Sequence, residues 1–166
     1  MDMFMQELMD GLPDGAQTAR VVIRMLAAAL FGAIVGIQRE RAGKPAGVRT
    51  HMLVALGAAL FVIAGEESGM DSAGISRVVQ GLATGIGFIG GGAILKLTAQ
   101  REVEGLTTAA GIWMTAAVGV AAGLGLWGTA GIGVALTWII LSIVGELTHR
   151  LEMRKQAAKK QQRSID

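Results

Sequence analysis

Apolar residues run through this chain in five long stretches, at residues 21–37, 48–64, 78–95, 106–124 and 126–144. Short joints bearing charges or glycine separate them. Each stretch has about the 17 to 21 residues with which a helix crosses a hydrocarbon layer roughly 30 Å thick. A soluble core helix of that length shows a polar face at a period of 3.6 residues, and none of these does. Backbone N–H and C=O groups in lipid must be bonded within their own segment, so the stretches are expected to be helices. The pattern predicts an all-α, polytopic (multi-pass) bundle of five transmembrane helices. Residues 1–19 precede the bundle, residues 20–145 form it, and residues 146–166 are a tail.

Composition fits that reading. Hydrophobic residues make up 52% of the chain against 17% charged, and the 25 glycines exceed a soluble protein's share. No cysteine is present, which removes disulfides and thiolate metal or redox chemistry. The distribution of charge says more than its total of +2. The first joint carries Arg39, Arg41 and Lys44, with Arg49 just beyond; the third carries Lys96 and Arg101. The tail adds Arg150, Arg154, Lys155, Lys159, Lys160 and Arg163. Asp2, Glu7, Asp10 and Asp14 precede the first span, and Glu66, Glu67 and Asp71 fill the second joint. Basic residues gather in cytoplasmic loops, so the N-terminus is expected outside and the C-terminus inside.

The ends carry weaker patterns. Phe4, Met5, Leu8, Met9 and Leu12 share one helical stripe in residues 1–12, before Gly11 and Pro13 end it. A short interfacial helix and a frayed terminus both fit. The tail reads as a basic helix drawn to anionic lipid headgroups. No aromatic residue interleaves with its charges, so nucleic acid is not an expected partner.

Glycines crowd the third stretch at Gly81, Gly85, Gly87, Gly90, Gly91 and Gly92. Small residues four apart let helix backbones approach closely in lipid. Gly32 and Gly36 form such a pair in the first span, and Gly119 and Gly123 in the fourth. One reading makes the third helix the tightly packed centre, through Gly81, Gly85, Gly87 and Gly91. The other has Gly90 to Gly92 break it and expose carbonyls to a substrate. A homodimer is a further expectation for so small a glycine-rich bundle.

Ionisable groups inside the spans are few. Arg24 lies one turn into the first span, where it either snorkels to the headgroups or pairs with Asp71 or Glu67. No carboxylate or histidine falls near the middle of a span, although Mg²⁺ sites and proton carriers ordinarily use them. No catalytic motif, cofactor site or metal site is expected. Polar residues instead gather at one end of the bundle: Gln38, Arg39, Glu40 and Arg41, then Arg49, Thr50 and His51, Lys96, and Thr107 with Thr108. Thr50 and Thr107 read as helix N-caps, and Glu40 is expected to pair with Arg49. Two helix N-termini beside Arg39, Arg49 and Lys96 could hold a phosphate or a carboxylate; ordinary caps and membrane anchors explain the same residues.

Three segments carry a resemblance: GAIVGIQRERAGKPAGVRTHMLVALGAAL (32–60), RVVQGLATGIGFIGGGAILK (77–96) and GLTTAAGIWMTAAVGVAAGLG (105–125). They closely resemble the MgtC/SapB family of bacterial inner-membrane proteins, in order and spacing. Gln38 stands where that family usually has a glutamate, while Arg39 and Glu40 match its pattern. Many relatives carry a cytoplasmic ACT-like domain after the spans, and the short form is expected here. The resemblance implies a role in adaptation to low magnesium and acid stress. It implies a non-enzymatic regulator of magnesium or phosphate homeostasis acting on a membrane-protein partner, with a small ion transporter or channel as the alternative.

Overall fold

A computed structural model describes residues 14–97 and 102–144. The stripe in residues 1–12 and the basic tail from Leu147 lie outside the described residues. Five helices follow in order: α1 (Gly15–Arg41), α2 (Val48–Glu67), α3 (Ser72–Gly92), α4 (Leu106–Gly123) and α5 (Trp127–Ile139). The last runs into a π-helical turn, Ile140–Val144. Between α3 and α4 the chain forms a small antiparallel hairpin of β1 (Leu95–Leu97) and β2 (Glu102–Glu104), with Lys96 opposite Val103. The expected five-helix membrane bundle is the observed architecture, with this hairpin added at a joint.

Helix limits follow caps rather than hydropathy. Asp14 starts α1, its carboxylate accepting from the Gln17 N–H at 2.6 Å, so the helix begins well before its apolar part. Asp71 does the same for α3 through the Gly74 N–H at 2.7 Å. Three of the helices, α1, α2 and α4, are long and apolar enough on their own to cross a membrane. The α3 helix has 21 residues, about 31 Å of length, but its glycines dilute its apolar character.

Packing is organised by size. The central cluster draws Ala28 and Val35 from α1, Ala55, Ala59 and Ile63 from α2, Val118 and Ala122 from α4, and Ala130 and Val134 from α5. Larger side chains such as Leu26, Leu53, Phe61, Trp113 and Ile132 face outward, where lipid covers them at no cost. The α2 helix is held between α1 and α4. A Cβ on Gly36 would lie 2.5 Å from Val48 Cα, and one on Gly32 would lie 2.5 Å from the His51 carbonyl oxygen. On the other flank, a Cβ on Gly119 would lie 2.8 Å from Ala55 Cα, and one on Gly123 2.8 Å from Ala59 Cα. Both i, i+4 glycine pairs therefore bring a neighbouring backbone against α2.

The third helix departs from expectation. Its buried residues are Gly74 and Gly90, and it rests mainly on α4. At positions 81, 85, 87 and 91 a Cβ would meet nothing within 4 Å apart from the local backbone of α3 itself. The close-packed centre is thus α2, and Gly81, Gly85, Gly87 and Gly91 do not pack helices within the chain. Their small size cannot draw a neighbour in, because α2 already fills the gap between α1 and α4 with its own small residues. Nor do Gly90 to Gly92 interrupt α3. The helix ends at Gly92, and the Gly90 and Gly91 carbonyls accept from the Ala93 and Ile94 N–H groups at 3.0 and 3.1 Å.

Candidate functional site

The end of α1 and the starts of α2 and α4 meet at one end of the bundle. Arg39 lies there on the inward face of α1 and is only 4% exposed. Its Nη2 donates to the Thr108 hydroxyl at 2.7 Å, in the first turn of α4, while its Nε–H has no hydrogen-bond partner. One layer deeper, His51 of α2 is fully buried, with Nδ1 2.7 Å from the Thr115 hydroxyl. The Thr115 hydroxyl donates to the Gly111 carbonyl at 2.8 Å, so its one proton is committed. His51 Nδ1 must therefore be the N–H donor, and Nε2 of the neutral ring is an acceptor facing no donor. Thr108 and Thr115 are seven residues apart, two turns on one helical face, which stacks the two polar pairs along α4.

The caps differ from those expected. Thr50 and Thr107 lie inside the first turns of their helices, and the N-caps are Gly47 and Gly105, neither with a side-chain bond. At α2 the acceptor comes from Glu40, whose carboxylate takes the Val48 N–H at 3.1 Å. Glu40 is therefore turned to a helix N-terminus, and among the described residues it forms no ion pair with Arg49. At α4, Gly105 has φ +91, and a Cβ there would run into the Ala93 carbonyl at the end of α3. Only glycine satisfies both the left-handed backbone and that close approach.

The remaining expected residues scatter around this core. Arg49 and Thr107 are exposed and Thr50 is half-buried. The backbone of Lys96 sits in β1; its side chain is outside the described residues. Gln38 lines a cavity of about 300 Å³ together with Arg41, Trp138 and Ser142, and its Oε1 is buried without a hydrogen-bond partner. At the opposite end of the bundle, Arg24 pairs with neither Asp71 nor Glu67. It binds the Glu66 carboxylate at 2.5 Å and the Gly123 carbonyl at 3.0 Å, where the C-terminal end of α4 favours a cation. Gln17 Nε2 donates to the neighbouring Glu67. Among the described residues, no group of three or more His, Asp or Glu side chains could hold a metal ion.

The polar core rests on residues within the span that comparison with known proteins also covers. The model of the MgtC family matches residues 25–150, from mid-α1 to beyond the π turn. The chain belongs to the MgtC family. Among relatives, the MgtC-family chain is similar to protein SrpB of Synechococcus elongatus, 48% identical over 111 residues, which are 60% of this chain and 61% of that protein. The putative magnesium transporter YhiD of Escherichia coli K12 is 39% identical over 141 residues, 81% of this chain and 65% of that one. Protein MgtC of Salmonella typhimurium is 40% identical over 102 residues, 61% of this chain and 42% of that one. The matches thus cover from 42% to 65% of these relatives' lengths. No solved structure matches the chain.

Three participants escape sequence reading: Thr115, Gly105 and Gly47. The seven-residue spacing of Thr108 and Thr115 on an otherwise apolar helix is the signal that could have found the first. The two glycines carry no comparable mark.

Proposed function

We propose that this MgtC-family protein is a non-enzymatic regulator of magnesium, phosphate or acid-stress homeostasis in the bacterial inner membrane. It acts on another membrane protein through the end of the bundle that holds Arg39, His51 and Thr108, and that end faces the cytoplasm. One observation carries the reading. The buried pairs Arg39–Thr108 and His51–Thr115 lie toward this end and each ties two helices, whereas the described carboxylates (Asp14, Glu40, Glu66, Glu67, Asp71 and Glu104) all sit at helix ends or joints. A Mg²⁺ path through the bundle would ordinarily need one or two carboxylates within it. The name of the Escherichia coli relative favours the second reading, a small transporter or channel for Mg²⁺ or another ion. Lipid covers the outward apolar faces, and a second copy pairing through the exposed side of α3 belongs to the same proposal.

Substitutions at the two ends of the bundle test the regulator. Glu40→Ala removes the acceptor at the start of α2, Thr108→Val removes the partner of Arg39, and Arg49→Ala removes an exposed charge beside them. Each should reduce growth in low magnesium toward that of cells lacking the protein, with membrane insertion intact. Glu66→Ala and Glu67→Ala at the opposite end should be nearly silent. Harmless changes at the basic end with an essential Glu66 or Glu67 would favour an ion site on the other face.

Orientation is tested by labelling. A cysteine at Ser68 should react with an impermeant thiol reagent added outside intact cells, and one at Ala42 should not. The reverse pattern would place the basic end outside, contrary to the preference of Lys and Arg for cytoplasmic loops.

A further inference from the structure

We propose that Arg39 and the first turn of α4 form a binding site for a phosphate-type oxyanion. Arg39 has no counter-ion among the described residues. Arg39 is 4% exposed, its guanidinium is fixed by the Thr108 hydroxyl, and its Nε–H points at no acceptor. Among the described residues the ion pair is Arg24 with Glu66, at the other end of the molecule. Buried charges are stable when paired, and a buried guanidinium held by one neutral hydroxyl is under-compensated.

The surroundings add positive potential rather than relieving it. Thr108 is the third residue of α4, so the guanidinium sits against the positive end of that helix dipole. Gly105 gives α4 no side-chain cap, which leaves the N–H groups of the first turn without a side-chain acceptor. The carboxylate one residue along, Glu40, is exposed and turned to the Val48 N–H at the start of α2. A cation with an unsatisfied Nε–H therefore lies against an uncapped helix N-terminus.

The chemistry of the donors selects the ligand class. The Arg39 Nε–H, the first-turn amides of α4 and the hydroxyl of Thr108 point to an acceptor with several oxygen atoms. Thr108 accepts from Arg39 and its own proton has no acceptor among the described residues, so it too can donate. A tetrahedral oxyanion offers these acceptors together, and guanidinium is the side chain best matched to it. Either inorganic phosphate or the phosphate of a phospholipid headgroup supplies that chemistry. The site stands whether the protein regulates or transports, so its test is independent of the functional proposal.

Purified full-length protein in a phosphate-free, non-phospholipid detergent is titrated with inorganic phosphate, and separately with short-chain phosphatidylglycerol. Chloride at matched ionic strength is the control, and thermal unfolding and equilibrium dialysis are the readouts. The wild type should bind one of the two probes saturably, with a rising unfolding temperature. Saturation by phosphate identifies the free ion, and saturation by the lipid alone identifies the headgroup. Thr108→Val, which keeps the guanidinium, should weaken binding about tenfold, the loss of one charge-assisted hydrogen bond. Arg39→Gln should abolish it. No saturable binding of either probe by the wild type, or equal binding by wild type and Thr108→Val, would overturn the site even if Arg39→Gln failed to fold.

Discussion

A Gly119→Leu chain is expected to yield no folded protein in detergent, while Gly85→Leu is recovered at the wild-type level. The two positions look alike in sequence, each an apolar-helix glycine with a small residue four positions away. Their surroundings are opposite. A Cβ on Gly119 would press into the Ala55 backbone, 2.8 Å from its Cα, and neither backbone can give without parting α2 from α4. At Gly85 the same atom meets open space. Even alanine should separate them in sign. Gly119→Ala overpacks a helix contact and costs roughly 1–3 kcal/mol, whereas Gly85→Ala removes a weak helix former worth about 1 kcal/mol in water. Folded yield by size-exclusion chromatography, with the unfolding temperature of what survives, reads both. Equal tolerance at Gly119 and Gly85 would mean that α2 is not the centre of the bundle. Loss of a dimer with Gly85→Leu at unchanged folded yield would be the signature of pairing through α3.

That contrast also shows how much of the fold could be read from the sequence. The number and order of the helices follow from the hydrocarbon thickness, and the stretches marked them. Which helix lies in the middle does not follow, because lipid accepts apolar side chains as readily as a protein interior does. Glycine density pointed to α3. The decisive feature is close approach: Gly32 and Gly36 on α1 meet the α2 backbone at His51 and Val48, and Gly119 and Gly123 on α4 meet it at Ala55 and Ala59. The helix whose backbone is approached by glycine pairs from two neighbours at once is the central one, and that helix is α2.

The candidate site was legible in outline only. The basic and threonine-bearing segments indicated which end of the bundle gathers polar groups, and Arg39, His51 and Thr108 are buried there. Their partners were not legible. His51 and Thr115 are separated by 64 residues, and their pairing depends on the relative rotation of α2 and α4 that the glycine contacts impose. The expected caps at Thr50 and Thr107 failed for a local reason. Glu40 reaches across the first joint to serve α2, and the end of α3 lies so close over α4 that a glycine must occupy its cap. Arg24 found Glu66 rather than Asp71 or Glu67 because the α4 C-terminus and the end of α2 meet where its guanidinium lies.

The proposed regulator does not conduct ions. The spans supply Arg24, Arg39 and His51 as their buried or half-buried ionisable groups, cationic or neutral, and none of these attracts a divalent cation into the membrane. Beyond the Arg39–Thr108 and His51–Thr115 pairs, small residues close the interface on both sides of α2. Isotopic Mg²⁺ uptake into vesicles reconstituted with the pure protein is the direct measurement. Uptake should equal that of protein-free vesicles, with the protein folded and inserted. Saturable uptake above that level, reduced by Arg39→Gln or Thr108→Val, would contradict it and make the protein a transporter.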